Sequence, residues 1–84
     1  MTRGRAAGAF RHQVSLPGWS VRSSWGFDAE LESFWAELWR SDADPEPTVR
    51  VPREHLVPTV TGLARVLGTA AGVPAGEAFV ALTA

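Results

Sequence analysis

Between Phe10 and Trp25 polar and apolar residues alternate with a period of two. Phe10, His12, Val14 and Leu16 interleave with Arg11, Gln13 and Ser15; beyond Pro17-Gly18, Trp19, Val21, Ser23 and Trp25 interleave with Ser20, Arg22 and Ser24. Successive strand residues point to opposite faces, so alternation on both sides of a Pro-Gly pair predicts a β-hairpin. A two-residue turn pairs Leu16 with Trp19, Val14 with Val21, His12 with Ser23 and Phe10 with Trp25. Cross-strand partners share a face. One face is then Phe10, Val14, Leu16, Trp19, Val21 and Trp25, with His12 and Ser23 as its polar pair. The other is Arg11, Gln13, Ser15, Ser20, Arg22 and Ser24. An L-Pro-Gly pair favours a type II turn, whose twist suits a two-residue hairpin poorly, so a longer connection is the alternative.

From Asp28 the period changes. Leu31, Phe34, Trp35, Leu38 and Trp39 fall at i, i+3, i+4, i+7 and i+8, which predicts an amphipathic helix from Asp28 to Arg40. Asp28 is a suitable N-cap, and Glu30 and Glu32 fall in the first turn, where the helix dipole favours acids. Residues 41–47, with Asp42, Asp44, Pro45 and Pro47, read as a loop. Thr48–Val51 reads as a short strand closed by Pro52, and residues 53–58 are ambiguous. A second helix is predicted over Thr59–Ala71, with Val60, Leu63, Ala64, Leu67 and Ala71 as its stripe. Thr59 caps its start, and Gly72, ahead of Val73-Pro74, ends it. Residues 77–82 are apolar on both sides; their alanines and Glu77 favour a short helix over a strand.

The predicted order is β-β-α-β-α. It describes an α+β fold: a small single-layer antiparallel sheet, made of the N-terminal hairpin and a short third strand, with two amphipathic helices packed on one face. With 84 residues and 9.0 kDa there is room for one domain. Residues 10–84 form it, and residues 1–9, small and basic, read as a flexible arm.

Composition removes much chemistry. The chain has no cysteine, which excludes disulfide scaffolds, cysteine zinc sites and thiol catalysis, and no lysine, which excludes a P-loop lysine and Schiff-base chemistry. No serine stands in a Gly-x-Ser-x-Gly elbow. His12 and His55 belong to different elements and lack metal-ligand spacing. Asp42-x-Asp44-x-Glu46 alternates like the opening of a calcium loop but lacks its turn glycine and distal acid. Glu30 and Glu37 lie two turns apart on the predicted helix, as an exposed acidic face. The expectation is therefore no enzyme, no metal and no cofactor. No segment reaches the roughly 20 apolar residues a membrane helix needs. The apolar run Ala6–Phe10 is shorter than the roughly 7–15 residues of a secretory core. A cytoplasmic protein without membrane contact is expected.

Charge changes the picture more than composition does. The net charge is −1, but residues 1–25 hold Arg3, Arg5, Arg11 and Arg22 with no acid, whereas residues 26–47 hold seven acids against Arg40 alone. Such asymmetry marks an interaction surface or internal pairing. Four tryptophans stand in this short chain. Large rings fill a thin core, but Trp39, at the edge of the helix stripe, and Trp19, at a strand end, are candidate contacts, because tryptophan is enriched at binding hot spots. The sequence thus reads as a small non-catalytic accessory protein that binds another protein through Glu30, Glu37, Trp39 and Trp19. Its sheet edge also offers pairing to a second copy, as a homodimer. The alternative is a nucleic-acid-associated accessory protein, in which Arg3, Arg5, Arg11 and Arg22 track phosphates.

Overall fold

The computed structural model describes residues 10–83. The arm at 1–9, with Arg3 and Arg5, lies outside the described residues. Four strands come first: β1 (Phe10–Gln13), β2 (Ser24–Asp28), β3 (Ser33–Leu38) and β4 (Val49–Val51). A 3-10 turn at Arg53–His55 follows, then helices α1 (Val60–Ala71) and α2 (Ala75–Thr83). The strands form one antiparallel sheet in the order β1-β2-β3-β4. The class is α+β, an antiparallel sheet with two helices. The element order is β-β-β-β-α-α, because one segment differs in type from its predicted form.

That segment is 28–40, which is a turn and a strand rather than a helix. Asp28 does act as a cap: its Oδ1 accepts from the amides of Glu30 (2.9 Å) and Leu31 (3.0 Å). The capped turn ends at Glu32, which adopts a left-handed conformation (φ 52°), and β3 begins at Ser33. β3 is a central strand, bonded to β2 through Trp25↔Ala36 and Phe27↔Phe34 and to β4 through Ala36↔Val51 and Leu38↔Val49. Aromatic residues favour strands over helices, and ladders on both edges override the helical spacing. Leu31, the first residue of the predicted stripe, is 41% exposed.

The N-terminal pairing is also corrected. Pro17-Gly18 does make a turn, closed by Trp19 N–H donating to the Leu16 carbonyl (3.0 Å), with Gly18 at φ 86°. Proline followed by a positive-φ glycine is the type II pattern, and the strands do not pair tightly around it. The register is instead Phe10↔Phe27, Arg11↔Gly26, His12↔Trp25 and Gln13↔Ser24, and residues 14–23 form a loop. Pairing has slipped by two residues from the predicted register. A slip of two keeps every strand side chain on its face, whereas a slip of one would reverse them all. Val14 and Leu16 still reach the core from this loop, but Val21 is exposed.

One sheet face meets the helices. Trp25, Ala36, Leu38 and Val51 on that face cluster with Leu63, Ala64 and Leu67 of α1 and Ala78 and Leu82 of α2. Beside them Phe10, Trp25, Phe27 and Phe34 form an aromatic group, with ring centroids 4.8 Å apart for Phe27–Phe34 and 5.0 Å for Phe10–Trp25. α1 is bounded as its sequence predicts. Thr59 Oγ1 accepts from Gly62 N–H (2.9 Å), and Gly72 (φ 76°) donates to the Gly68 carbonyl at the other end. The tail is helical. Among the described residues no single helix is long and apolar enough to cross a membrane.

Candidate binding surface

Neither helix packs on the opposite face of the sheet, and the 3-10 turn reaches it through Arg53. Strand alternation places Arg11 and Gln13 of β1 on it, with Ser24 and Gly26 of β2, Trp35 and Glu37 of β3, and Arg50 of β4. Two registers run across it. One is Gln13–Ser24–Glu37–Arg50, and the next joins Arg11, Gly26 and Trp35.

Gly26 allows Trp35 to lie flat. A Cβ at position 26 would stand 2.2 Å from the Phe10 carbonyl oxygen and 2.6 Å from Cζ2 of Trp35. The indole therefore fills the space a side chain would take, and Arg11 (5.4 Å from ring centroid) and Arg53 (5.5 Å) flank it. Trp35 is only 8% exposed, yet it stands apart from the core cluster on the helical side. Arg53 is held by Asp28, Nη1 to Oδ2 at 3.1 Å. The Leu31 amide, the Glu30 amide and Arg53 together hold the Asp28 carboxyl below the usual carboxylate range.

Trp39, just past β3, repeats the arrangement. The Arg22 guanidinium lies 3.6 Å from its ring centroid, and Arg22 Nη1 donates to the carbonyls of Asp42 (3.0 Å) and Asp44 (2.9 Å). The Trp39 amide donates to Ser23 Oγ (2.9 Å), and its carbonyl accepts from Ser20 N–H (2.7 Å). Ser20 Oγ in turn bonds Asp42 Oδ1. The 14–23 loop is thus tied to the segment after β3.

Between the two arginine-capped tryptophans lies a polar row. Arg50 Nε and Glu37 Oε2 are 3.6 Å apart. Ser24 Oγ is buried and has no hydrogen-bond partner among the described residues. Two shallow grooves open here. One of about 250 Å³ is lined by Arg11, Gln13, Arg22 and Ser24, and one of about 270 Å³ by Trp35, Glu37, Arg50 and Arg53.

The predicted contact residues are dispersed. The acidic helix face does not exist, because its helix is a turn and a strand: Glu30 is exposed in the turn between β2 and β3, and Glu37 stands on the open sheet face. Trp39 shares the region of Glu37 but is only 8% exposed beneath Arg22. Trp19 packs against the core and carries Arg40 over its ring at 3.9 Å. Of the arginines in the alternative reading, Arg11 and Arg22 line one groove. Trp35, Arg50, Arg53, Gln13, Ser24 and Gly26 were not singled out by sequence, although Arg11, Gln13, Arg22 and Ser24 do fall together on the polar side of the predicted hairpin. His12 lies beside Phe10 and Trp25 on the other face, and His55 is exposed in the 3-10 turn. No group of three or more metal-ligating side chains occurs among the described residues. No family model, curated protein or solved structure is detectably similar to this chain.

Proposed function

We propose that the chain is a small, non-catalytic protein-binding accessory protein of the cytoplasm, and that its contact surface is the helix-free face of the sheet. The observation that carries this reading is the pair of arginine-capped tryptophans, Trp35 under Arg11 and Arg53 and Trp39 under Arg22, on the side of the sheet away from the helices. Tryptophan and arginine dominate binding hot spots, and a guanidinium already stacked on a ring loses less freedom when it meets a partner. The mixed charges of Arg50, Glu37, Arg53 and Asp28 suit a protein surface of mixed sign.

The test is affinity capture with three baits: the wild-type chain, Gln13→Glu/Arg50→Glu on the open face, and Arg65→Glu on the exposed side of α1. Proteins held by wild type and by Arg65→Glu, and released by the open-face variant with its circular dichroism unchanged, support the reading. Equal capture by all three baits refutes it. The nucleic-acid alternative keeps one supporting observation, that Arg11 and Arg22 line one groove. Salt-sensitive binding of single-stranded DNA or RNA that Arg11→Gln abolishes favours it over the protein-binding reading.

A further inference from the structure

The groove at the β1–β2 end of the open face has a specific chemistry. Gln13 and Ser24 sit directly opposite each other. Arg11 lies two residues before Gln13, and Arg22 two residues before Ser24. Arg11 belongs to β1 and Arg22 to the turn that leads into β2, and both line the same groove as the Gln13–Ser24 row. Each is steadied by a ring, Arg11 by Trp35 and Arg22 by Trp39. Among the described residues neither makes an ion pair, whereas Arg50 and Arg53 both do. Between them Ser24, only 5% exposed, holds a hydroxyl with no partner among the described residues. A buried hydroxyl left unbonded is costly, and an acceptor that reaches it as the surrounding side chains part removes that cost.

We propose that this groove seats a carboxylate side chain of an acidic peptide segment, taken between Arg11 and Arg22 with the Gln13 amide and the Ser24 hydroxyl as neutral donors. The proposal rests on the reading of the open face as the binding surface and names what it recognises. Two unpaired guanidiniums match an anion, and guanidinium–carboxylate bonds are the strong, directional kind. The surroundings select among anions. Glu37 and Asp28 stand on the same face, and the backbone of Asp42 and Asp44 holds Arg22. A nucleic-acid backbone laid along the whole face meets these acids, whereas a carboxylate of a short acidic segment seated in the groove meets only the arginines.

The experiment is an NMR titration of the full chain with a capped triglutamate peptide, its triglutamine counterpart, inorganic phosphate and a short single-stranded DNA. Triglutamate is expected to shift the side-chain Nε–H signals of Arg11 and Arg22 and the amides of Gln13 and Ser24, saturably, while triglutamine leaves them in place. Arg11→Gln weakens binding about tenfold, the loss expected for one hydrogen bond to a charged group. Gln13→Glu abolishes it, and Thr69→Glu on α1 leaves it unchanged. Ser24→Ala weakens binding without lowering stability, which separates a ligand role from a structural one. Equal shifts from both peptides, shifts away from these four residues, or Arg11-dependent binding of DNA or phosphate tighter than triglutamate at the same salt overturns the assignment. If the open-face bait loses its partners while triglutamate fails to bind, the carboxylate assignment falls and the binding face stands. If triglutamate binds as described while the baits capture alike, the assignment stands and the broader reading falls.

Discussion

Adding a single methyl group at position 26 tests the geometry on which the open face depends. In Gly26→Ala the new Cβ would stand 2.2 Å from the Phe10 carbonyl oxygen and 2.6 and 2.8 Å from two atoms of the Trp35 ring. The ring can tilt, but the carbonyl belongs to the neighbouring strand, so β1 must move away from β2. Overpacking of this kind costs about 1–3 kcal/mol. Alanine recovers roughly 0.5–1 kcal/mol of the entropy that glycine loses on folding. A clash with backbone puts the cost at its upper end, which leaves a net loss of about 2 kcal/mol. For a domain of this size that lowers Tm by about 8–16 °C. Urea unfolding followed by tryptophan fluorescence reads the change directly, and the control is Gly76→Ala in α2, where nothing stands within 4 Å of the added atom. The control should be neutral or slightly stabilising, by up to about 1 kcal/mol. A Gly26→Ala chain as stable as wild type, with the Phe10↔Phe27 pairing intact, would mean that the indole does not lie on the glycine and that the face is built differently.

Three further substitutions probe the turn, the core and the cap. Glu32→Gly relieves a left-handed residue (φ 52°) that costs roughly 1–2 kcal/mol in any L-amino acid, so after the unfolded-state penalty it should raise Tm by a few degrees; a fall in Tm contradicts the turn. Leu38→Ala, at a fully buried position facing α1, should cost about 2–5 kcal/mol in a urea melt, and a loss under 1 kcal/mol would deny Leu38 its central place. The Asp28 carboxyl is held below its usual range by the Leu31 amide first, then by the Glu30 amide and Arg53. Its contribution is complete above the unfolded value of about 4 and fades as pH falls through the lower folded value, so wild type should lose more stability than Asp28→Asn between about pH 5 and pH 2, and parallel profiles would remove the cap.

Which parts were legible in the sequence follows from how many partners each segment needs. α1 declares itself through local groups: Thr59 and Gly72 bond within the helix's own ends, and its stripe faces one way. The polar side of the β1–β2 region is legible too, because a two-residue slip leaves faces unchanged. The segment from Ser33 to Trp39 is not. A strand with one polar face would show plain alternation, but here Phe34, Ala36 and Leu38 meet the helices while Trp35 and Trp39 lie on the other side beneath arginines. With large rings on both faces the period of two is masked, and a helical stripe can be drawn through the same residues. The missing information is the glycine opposite Trp35 on the neighbouring strand: Gly26 makes sense only once Trp35 is seen lying upon it. Arg50 and Arg53 escaped notice for a similar reason, since their acids, Glu37 and Asp28, are distant in sequence and join them only through the sheet register.

All four strands precede both helices. During synthesis the ribosome therefore releases a complete meander before the residues that cover it. Trp25, Ala36, Leu38 and Val51 wait for Leu63, Leu67 and Leu82 to close over them, and a fragment ending near Thr59 carries that greasy surface bare. Such a fragment invites clumping or chaperone capture. Losing the two helices would thus turn one layer of the core into an aggregation-prone exterior.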